Sequence, residues 1–473
     1  MKSLTILELE YKDDTSLYFE HFIELPYPYF LDSSAFNGTH SIYKDTFSRY
    51  DIITAAPAKH FTAFPGGKLI IEDFVDQTKR QVTTNTPLNY LSESLERMSL
   101  IEQSAENSDL PFQGGLVGFW SYELCEQIEP ERILPRDNDT PHISVGLYHW
   151  ALVTDHKKRS ASLVFHPDIP EKIKAQVLQS LDTERKAVNP SSFKLLKAFE
   201  PTQSRAEYQT AFQAIQDYIA AGDCYEVNLT QRFTTHHTGD TWEAYKKLRT
   251  TTLAPYSAYI KRPDMEILSH SPEQFIRLKD GKVSTNPIKG TRPRGLTPES
   301  DLAIANELKS SEKDQSENLM IVDLLRNDLG KVCKTGSVSV PRLFALESYA
   351  NVHHLVSTVN GELDDHHSPV DLLESTFPGG SITGAPKIRS MEIIRELEPV
   401  ARTIYCGSIG YISCDGTMDT SIAIRTILSK DGELHCWGGG AIIADSDCDS
   451  EYEESITKVR NLMNGLEDHF LAR

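Results

Sequence analysis

No stretch of the 473 residues approaches the roughly 18 to 20 uninterrupted apolar residues that a membrane helix needs, so no helical membrane span is predicted. Met1 to Glu10 carries Glu8 and Glu10 where a secretory leader would have a basic and then an apolar run, and a cytoplasmic location is expected. Cysteine is sparse. The seven cysteines are scattered from Cys125 to Cys448 without a Cys-x-x-Cys pair, which removes the usual sequence grounds for a zinc site or redox couple and predicts free thiols. Positive charge is in the minority, 48 Lys and Arg against 68 Asp and Glu, for a net charge of −20. That field repels phosphate backbones and argues against nucleic acid as a partner. It also repels small anions, so an anionic substrate would need a local cluster of Lys and Arg.

What is present is ordinary globular composition, 39% hydrophobic and 25% charged, in a chain long enough for two or three average domains. Neither internal repeats nor low-complexity tracts interrupt it. Residues 1–195 alternate short apolar runs with Pro and Gly turns, as in Gly114 to Trp120 and Ile143 to Leu147, and read as a strand-rich region. A helical stretch from Pro170 to Lys186 leads into a polar seam, Asn189-Pro190-Ser191-Ser192, which is the expected boundary. Residues 200–473 form the second region.

Ser204-Arg205-Ala206-Glu207 is a capping-box sequence, and Tyr208, Phe212, Ile215 and Ile219 follow at helical spacing up to Gly222. Tyr225, Val227 and Leu229 then alternate with Glu226, Asn228 and Thr230, a strand whose polar face would turn Glu226 away from the core. Met418 to Leu428 alternates likewise, which predicts one strand with Asp419, Ser421, Ala423 and Arg425 on a shared face. Helices are predicted at 313–328, 386–398 and 450–467, giving an α+β class with long antiparallel strands.

Several side chains stand out chemically. Glu451, Glu454 and Lys458 share one face of the last helix, behind Asp449 or Ser450 as cap, and Asp314 and Glu317 form a second acidic pair at the same spacing. Two such pairs facing each other would offer hard oxygen ligands for magnesium, while solvated helix faces explain each pair equally well. Lys289 lies in Pro287-Ile288-Lys289-Gly290-Thr291, just ahead of Arg292 and Arg294, in a segment without clear periodicity. It reads as an exposed basic loop or as a nucleophile whose pKa is lowered by desolvation and by those neighbouring cations, which could also clamp substrate carboxylates. Glu273 follows a Pro turn, and His354 precedes the apolar Leu355-Val356. Phe377 to Lys387 is a glycine-rich loop running into a helix, but Ala385-Pro386 follows Gly384 where a phosphate-binding P-loop needs Lys and Ser or Thr.

These runs, Cys224 to Leu229, Ser271-Pro272-Glu273, Pro287 to Thr291, Glu317 to Leu324, His354 to Ser357, Gly384 to Lys387 and Gly438-Gly439-Gly440, occur in an order that resembles the chorismate-utilising enzymes. The resemblance is dense over residues 205–465 and weaker before, where Gly114-Gly115 to Tyr122-Glu123 is similar to the family's N-terminal signature. It implies two large antiparallel sheets packed face to face with helices outside. It implies magnesium held by Glu317 and Glu454 and supported by Asp314 and Glu451, with the substrate's carboxylates gripped by Arg425, Tyr411 and Lys458. Ser381 and the backbone of Gly438, Gly439 and Gly440 would complete the cradle.

Position 289 separates family branches. The anthranilate-forming branch is similar across this motif but has Ala there, leaving ring carbon 2 open to ammonia. With Lys289 the resemblance implies attack on carbon 2 by the lysine amine, proton donation to the leaving 4-hydroxyl by Glu273, and then attack by ammonia on carbon 4. The expected product is 4-amino-4-deoxychorismate, a precursor of 4-aminobenzoate and folate, with His354 as a proton carrier near the ring. Glu226 departs from the family pattern, since hydroxylating relatives have Lys there and many amine-forming relatives Gln. A glutaminase elbow with a Cys nucleophile is not found, so the expected ammonia source is a separate glutamine amidotransferase subunit. In relatives an N-terminal pocket holds tryptophan, and Asp32, Ser33 and Arg49 are its candidates here.

Overall fold

The computed structural model describes residues 2–34, 49–102, 104, 107, 109–133, 135–136, 139–183, 192–348 and 352–471. The seam at Asn189 to Ser191 lies outside the described residues. Two antiparallel sheets carry the chain. In the first, strands run in the order Thr5–Leu9, Ser160–Phe165, Trp150–Asp155, Tyr50–Thr54, Tyr29–Asp32, Tyr256–Lys261, Glu266–Ser271, Thr426–Lys430, Glu433–Ile442, Glu226–Thr238 and Lys194–Leu195. The second runs from Ile288–Pro293 through Val352–Glu362, Lys282–Thr285, Gln274–Lys279, Met418–Ile422 and Ser408–Ser413. It continues through Gly115–Trp120, Ile143–Tyr148, Lys59–Phe64 and Lys68–Asp73 to Thr78–Thr83. Each sheet therefore contains strands from both sides of the seam.

The strands of the first sheet read as continuous apolar runs because both faces are covered. Tyr29, Ile52, Val153, Ile260 and Ile267 join the core shared with the second sheet. Their sequence neighbours Phe30, Ile53, Leu152, Tyr259 and Leu268 point the other way, into a layer closed by Trp242, Tyr245, Val459, Leu462 and Leu466 from the helices Thr241–Thr252 and Cys448–Phe470. Alternate side chains of one strand thus feed two cores, and each buried large apolar residue contributes roughly 1.5–3 kcal/mol. The seven cysteines are free thiols, and no helix among the described residues is long and apolar enough to cross a membrane.

Local chemistry sets the predicted helices. Arg205–Ala221 starts with the reciprocal Ser204 and Glu207 capping box and ends at Gly222 with φ 82°. Ser204→Ala removes one N-terminal acceptor and is expected to cost about 1 kcal/mol, read as a lowered urea midpoint with unchanged slope. The other predicted helices run from Glu312 to Gly330, Lys387 to Leu397 and Cys448 to Phe470. The cap of the last is Asp447, whose side chain accepts from the Ser450 N–H, in place of the expected Asp449 or Ser450.

Two strand expectations change. Met418 to Leu428 is not one strand: Met418–Ile422 belongs to the second sheet and Thr426–Lys430 to the first. The chain crosses between sheets at Ala423 to Arg425, where Arg425 takes φ 50°, so Arg425 does not share a strand face with Asp419. Residues 288–293, read as a segment without periodicity, form the edge strand Ile288–Pro293 on Val352–Glu362, with a register shift between Ile288 and Thr291. Gly290 lies in that shift at φ 79°, and a Cβ there would stand 2.8 Å from Asp314 Oδ1. Only glycine lets this edge approach the helix so closely.

Candidate active site

Two helices and three strands bring the predicted residues together. The helix Glu312–Gly330 buries Ile321, Val322, Leu325 and Leu329. Asn318, which is wholly buried, ties it to the strand Val352–Glu362 by donating to the Leu355 carbonyl at 3.3 Å and accepting from Ser357. That anchorage turns Glu317 inward, 8% exposed. The helix Cys448–Phe470, anchored by Val459, Leu462, Met463 and Leu466, turns Glu451 inward as well. Lys313 spans the two helices, with Nζ 3.2 Å from Glu451 and 3.9 Å from Glu317. Ser446 Oγ donates to Glu451 at 2.8 Å.

Beside them Lys458 donates to Glu454 at 2.8 Å and to the Gly439 carbonyl at 2.9 Å. A Cβ on Gly440 would lie 3.0 Å from Glu451 and 3.7 Å from Glu454, so this glycine strand floors the acidic cluster. Asp314 turns to Arg292 at 2.9 Å. It stands one turn before Glu317 and adds negative charge to it without joining Lys313.

Lys289 enters from the edge strand with its side chain 10% exposed, and Nζ donates to Glu226 Oε1 at 2.9 Å. The expected electrostatics are reversed here. Burial works against the ammonium, but Glu226, Glu317 and Glu273 outweigh it and hold the Lys289 pKa above its usual value. The cations close in sequence are engaged elsewhere: Arg292 with Glu307 and Asp314, Arg294 with Asp301. Glu226 is fully buried and faces this site, which corrects the expectation that it points away from the core.

Glu273 is 5% exposed. Burial pushes its carboxyl up to about 7, opposed by the Ser381 hydroxyl, Lys289, Lys458 and the Ile288 N–H, so it holds a proton near neutrality. Glu317 is likewise raised to about 7 by burial, with Lys289 pulling it down and Glu226 pushing it up. His354, on the strand beside Thr291, pairs its Nδ1 with Thr291 Oγ1 at 2.8 Å. Burial, then Arg425, then His353 lower its pKa to about 3, so its imidazole is neutral.

Ser381 sits on a one-turn helix, Gly380–Ile382, braced by residues given no individual role from the sequence. Asn228 donates to the Ser381 carbonyl at 2.9 Å. Arg402, paired with Glu398, donates to the carbonyls of Ile382 and Asn228. Lys387 holds the carbonyls of Thr376 and Pro378 at 2.9 Å while pairing with Asp328. Lys313 was also missed, although its place four residues before Glu317 was the available signal.

The remaining candidates have other surroundings. Tyr411 packs on Phe112 and pairs across strands with Asp419. It is buried, with Asp419 and Arg277 the charges that act on it most strongly. Strand alternation from Ser408 to Ser413 turns it into the core of the sandwich. Asp32 accepts from Tyr245 and from Arg249 at 2.7 Å, and Ser33 donates to Asp51. Arg49 is held by Asp155 at 2.7 Å and Asp109 at 3.2 Å. The three candidates for an amino-acid ligand are thus engaged in internal networks, with Arg49 in a separate one.

A cradle of glycines, buried carboxylates and scattered cations, on two large antiparallel sheets, is the setting of an enzyme that binds a small polyanion. Residues 40–464 match the family of chorismate binding enzymes, and the chain belongs to that family. It is 41% identical to aminodeoxychorismate synthase component 1 of Escherichia coli, over 99% of this chain and 100% of that protein. The structure of anthranilate synthase component I from Streptococcus pneumoniae is similar with a TM-score of 0.75 and 31% identity, covering 88% of this chain and 92% of that one. The menaquinone-specific isochorismate synthase of Escherichia coli shares the fold at a TM-score of 0.70 and 16% identity, over 98% and 94% of the two chains. The expected sheet architecture is therefore borne out.

Proposed function

We propose that this chain converts chorismate and ammonia into 4-amino-4-deoxychorismate and water. The observation that carries the reading is Lys289 Nζ held in a buried site with a carboxyl group, Glu273, that keeps its proton near neutrality. The first is a nucleophile in waiting and the second an acid matched to a poor leaving group. The lysine amine attacks carbon 2, the ring double bonds shift, and the bond from carbon 4 to its hydroxyl breaks as that oxygen takes the Glu273 proton and leaves as water. Ammonia then attacks carbon 4, the double bonds shift back, and the electron pair of the carbon 2 to nitrogen bond returns to Lys289. The enolpyruvyl group is retained throughout.

Arg425 and Lys458 supply the positive charge that a dianion needs in an acidic protein, and Ser381 and Gly438 to Gly440 shape the cradle. Among the described residues no group of three or more His, Cys, Asp or Glu side chains is arranged to hold a metal ion as it stands. The donor chemistry nevertheless fits magnesium. Glu317 and Glu451 share one ammonium, Lys313, and Glu454 adds to the negative field on it, so one position already draws cationic charge from all-oxygen ligands. Glu317, Glu451 and Glu454 would hold the ion, with Asp314 behind them. A bound magnesium would supply charge to the substrate's ring carboxylate. The ammonia would come from a glutamine amidotransferase subunit, in keeping with the designation component 1 carried by the relatives.

Incubation with chorismate and ammonium, with and without magnesium, tests the function through the product's mass and absorbance. The expected product is 4-amino-4-deoxychorismate, formed faster with the metal. Anthranilate as the main product would overturn the assignment.

A further inference from the structure

Lys289 cannot attack as an ammonium, and the carboxylates around it favour that form. The reaction therefore needs a local base. We propose that Glu226 accepts the Lys289 proton and returns it when the lysine departs, an inference that rests on the covalent reading above. Glu226 Oε1 lies 2.9 Å from Nζ in a fully buried position. Its Oε2, also buried, has no hydrogen-bond partner among the described residues, so one oxygen engages the amine and the other has spare acceptor capacity. The backbone is fixed on two sides. Glu226 pairs with Ala385, its carbonyl accepts from Ser390 Oγ at 2.9 Å, and a Cβ on Gly384 would lie 2.1 Å from that carbonyl oxygen. The backbone that carries the carboxylate is thus held in place beside the lysine.

The other acidic groups acting on Lys289 are Glu273, Glu317 and Glu454. Glu273 is required in its protonated form, and Glu317 and Glu454 face Lys313 and Lys458. Glu226 is the carboxylate with a hydrogen bond to the reacting nitrogen. In the first step one proton passes from Nζ to Glu226, and the freed electron pair forms the bond to carbon 2. After ammonia has displaced the lysine, Glu226 gives that proton back to the released amine, and the Glu273 carboxylate takes one from the new ammonium on carbon 4. All three groups return to their starting states, and the sum is chorismate plus ammonia giving amine plus water. An amide at position 226 could accept the same hydrogen bond but not the proton.

The test is the rate of adduct formation on Lys289 after mixing with chorismate in the absence of ammonia, followed by intact mass. Leaving ammonia out isolates the first step and removes the pH dependence of ammonia itself. Wild type should form the adduct at a rate that does not rise between about pH 6 and 8, because the proton moves inside the ion pair, and that declines through about 7 as Glu273 loses its own proton. Glu226→Gln should be slower by about a hundredfold at pH 7, and its rate relative to wild type should recover roughly tenfold per pH unit as solvent takes over the proton. Glu226→Asp, which keeps the acid, should be slower with the wild-type pH profile. A wild-type rate and profile in Glu226→Gln, or a loss equal at every pH, overturns the role of Glu226. Absence of any adduct in wild type overturns the covalent reading beneath it, which is a different result.

Discussion

Lys289→Ala is expected to lower formation of 4-amino-4-deoxychorismate by about a thousandfold or more, the scale on which removing a nucleophile removes a whole pathway. Three carboxylates, Glu226, Glu317 and Glu273, lose the cation they share. Glu226 is fully buried and loses the ammonium whose hydrogen bond it accepts. The variant should fold, as circular dichroism and a sharp melting transition can verify. Truncation also opens the space over ring carbon 2, so a slow anthranilate-type product should appear with ammonium, and no adduct should be found by mass. Wild-type turnover in this variant would exclude covalent catalysis, whatever becomes of Glu226. Lys289→Arg should be as inactive as Ala, because a guanidinium keeps its proton at any working pH.

The sequence made the local features legible and left the long-range ones dark. The capping box at Ser204 and Glu207 is a rule about four adjacent residues, and it was realised with both hydrogen bonds. The run from Met418 to Leu428 obeyed the period of a strand, but that period survives a change of sheet when both sheets are buried, so the crossing at Arg425 could not be read from it. For Lys289, Arg292 and Arg294 are near in sequence yet pair outward, while the groups that set its charge come from positions 226, 273 and 317. Only tertiary structure reverses the sign of that environment. Glu226 misled for a related reason: alternation separates two faces of a strand, and a buried polar site on the second face looks the same as solvent. Glu273, Lys289 and Glu317, assigned by likeness, act on one another as buried charges, whereas Tyr411, also assigned by likeness, packs on Phe112 in the core of the sandwich.

Glu273→Gln should lower kcat by about a hundredfold to ten-thousandfold, the range for removing a positioned general acid, with a smaller effect on the KM for chorismate. Glu273 must be protonated to expel the hydroxyl, and its carboxyl is raised by burial to about 7. The wild-type rate of adduct formation should therefore decline as pH rises through about 7, and the variant should lose that limb. The same shift has an opposite effect on stability. Because the folded pKa lies above the unfolded value of 4.5, the native state binds more protons between the two, and stability falls as pH rises from about 4.5 to about 7. Above that window the protein carries the full cost of an ionised carboxylate in a dry site. Glu273→Gln escapes this cost. It should melt at a higher temperature than wild type at about pH 8, with the gap closing toward pH 4.5, while turning over far more slowly. A variant both inactive and less stable at about pH 8 would mean that Glu273 is held ionised by its neighbours and is not the acid. The paired measurement thus separates a residue strained for chemistry from one that merely fills space.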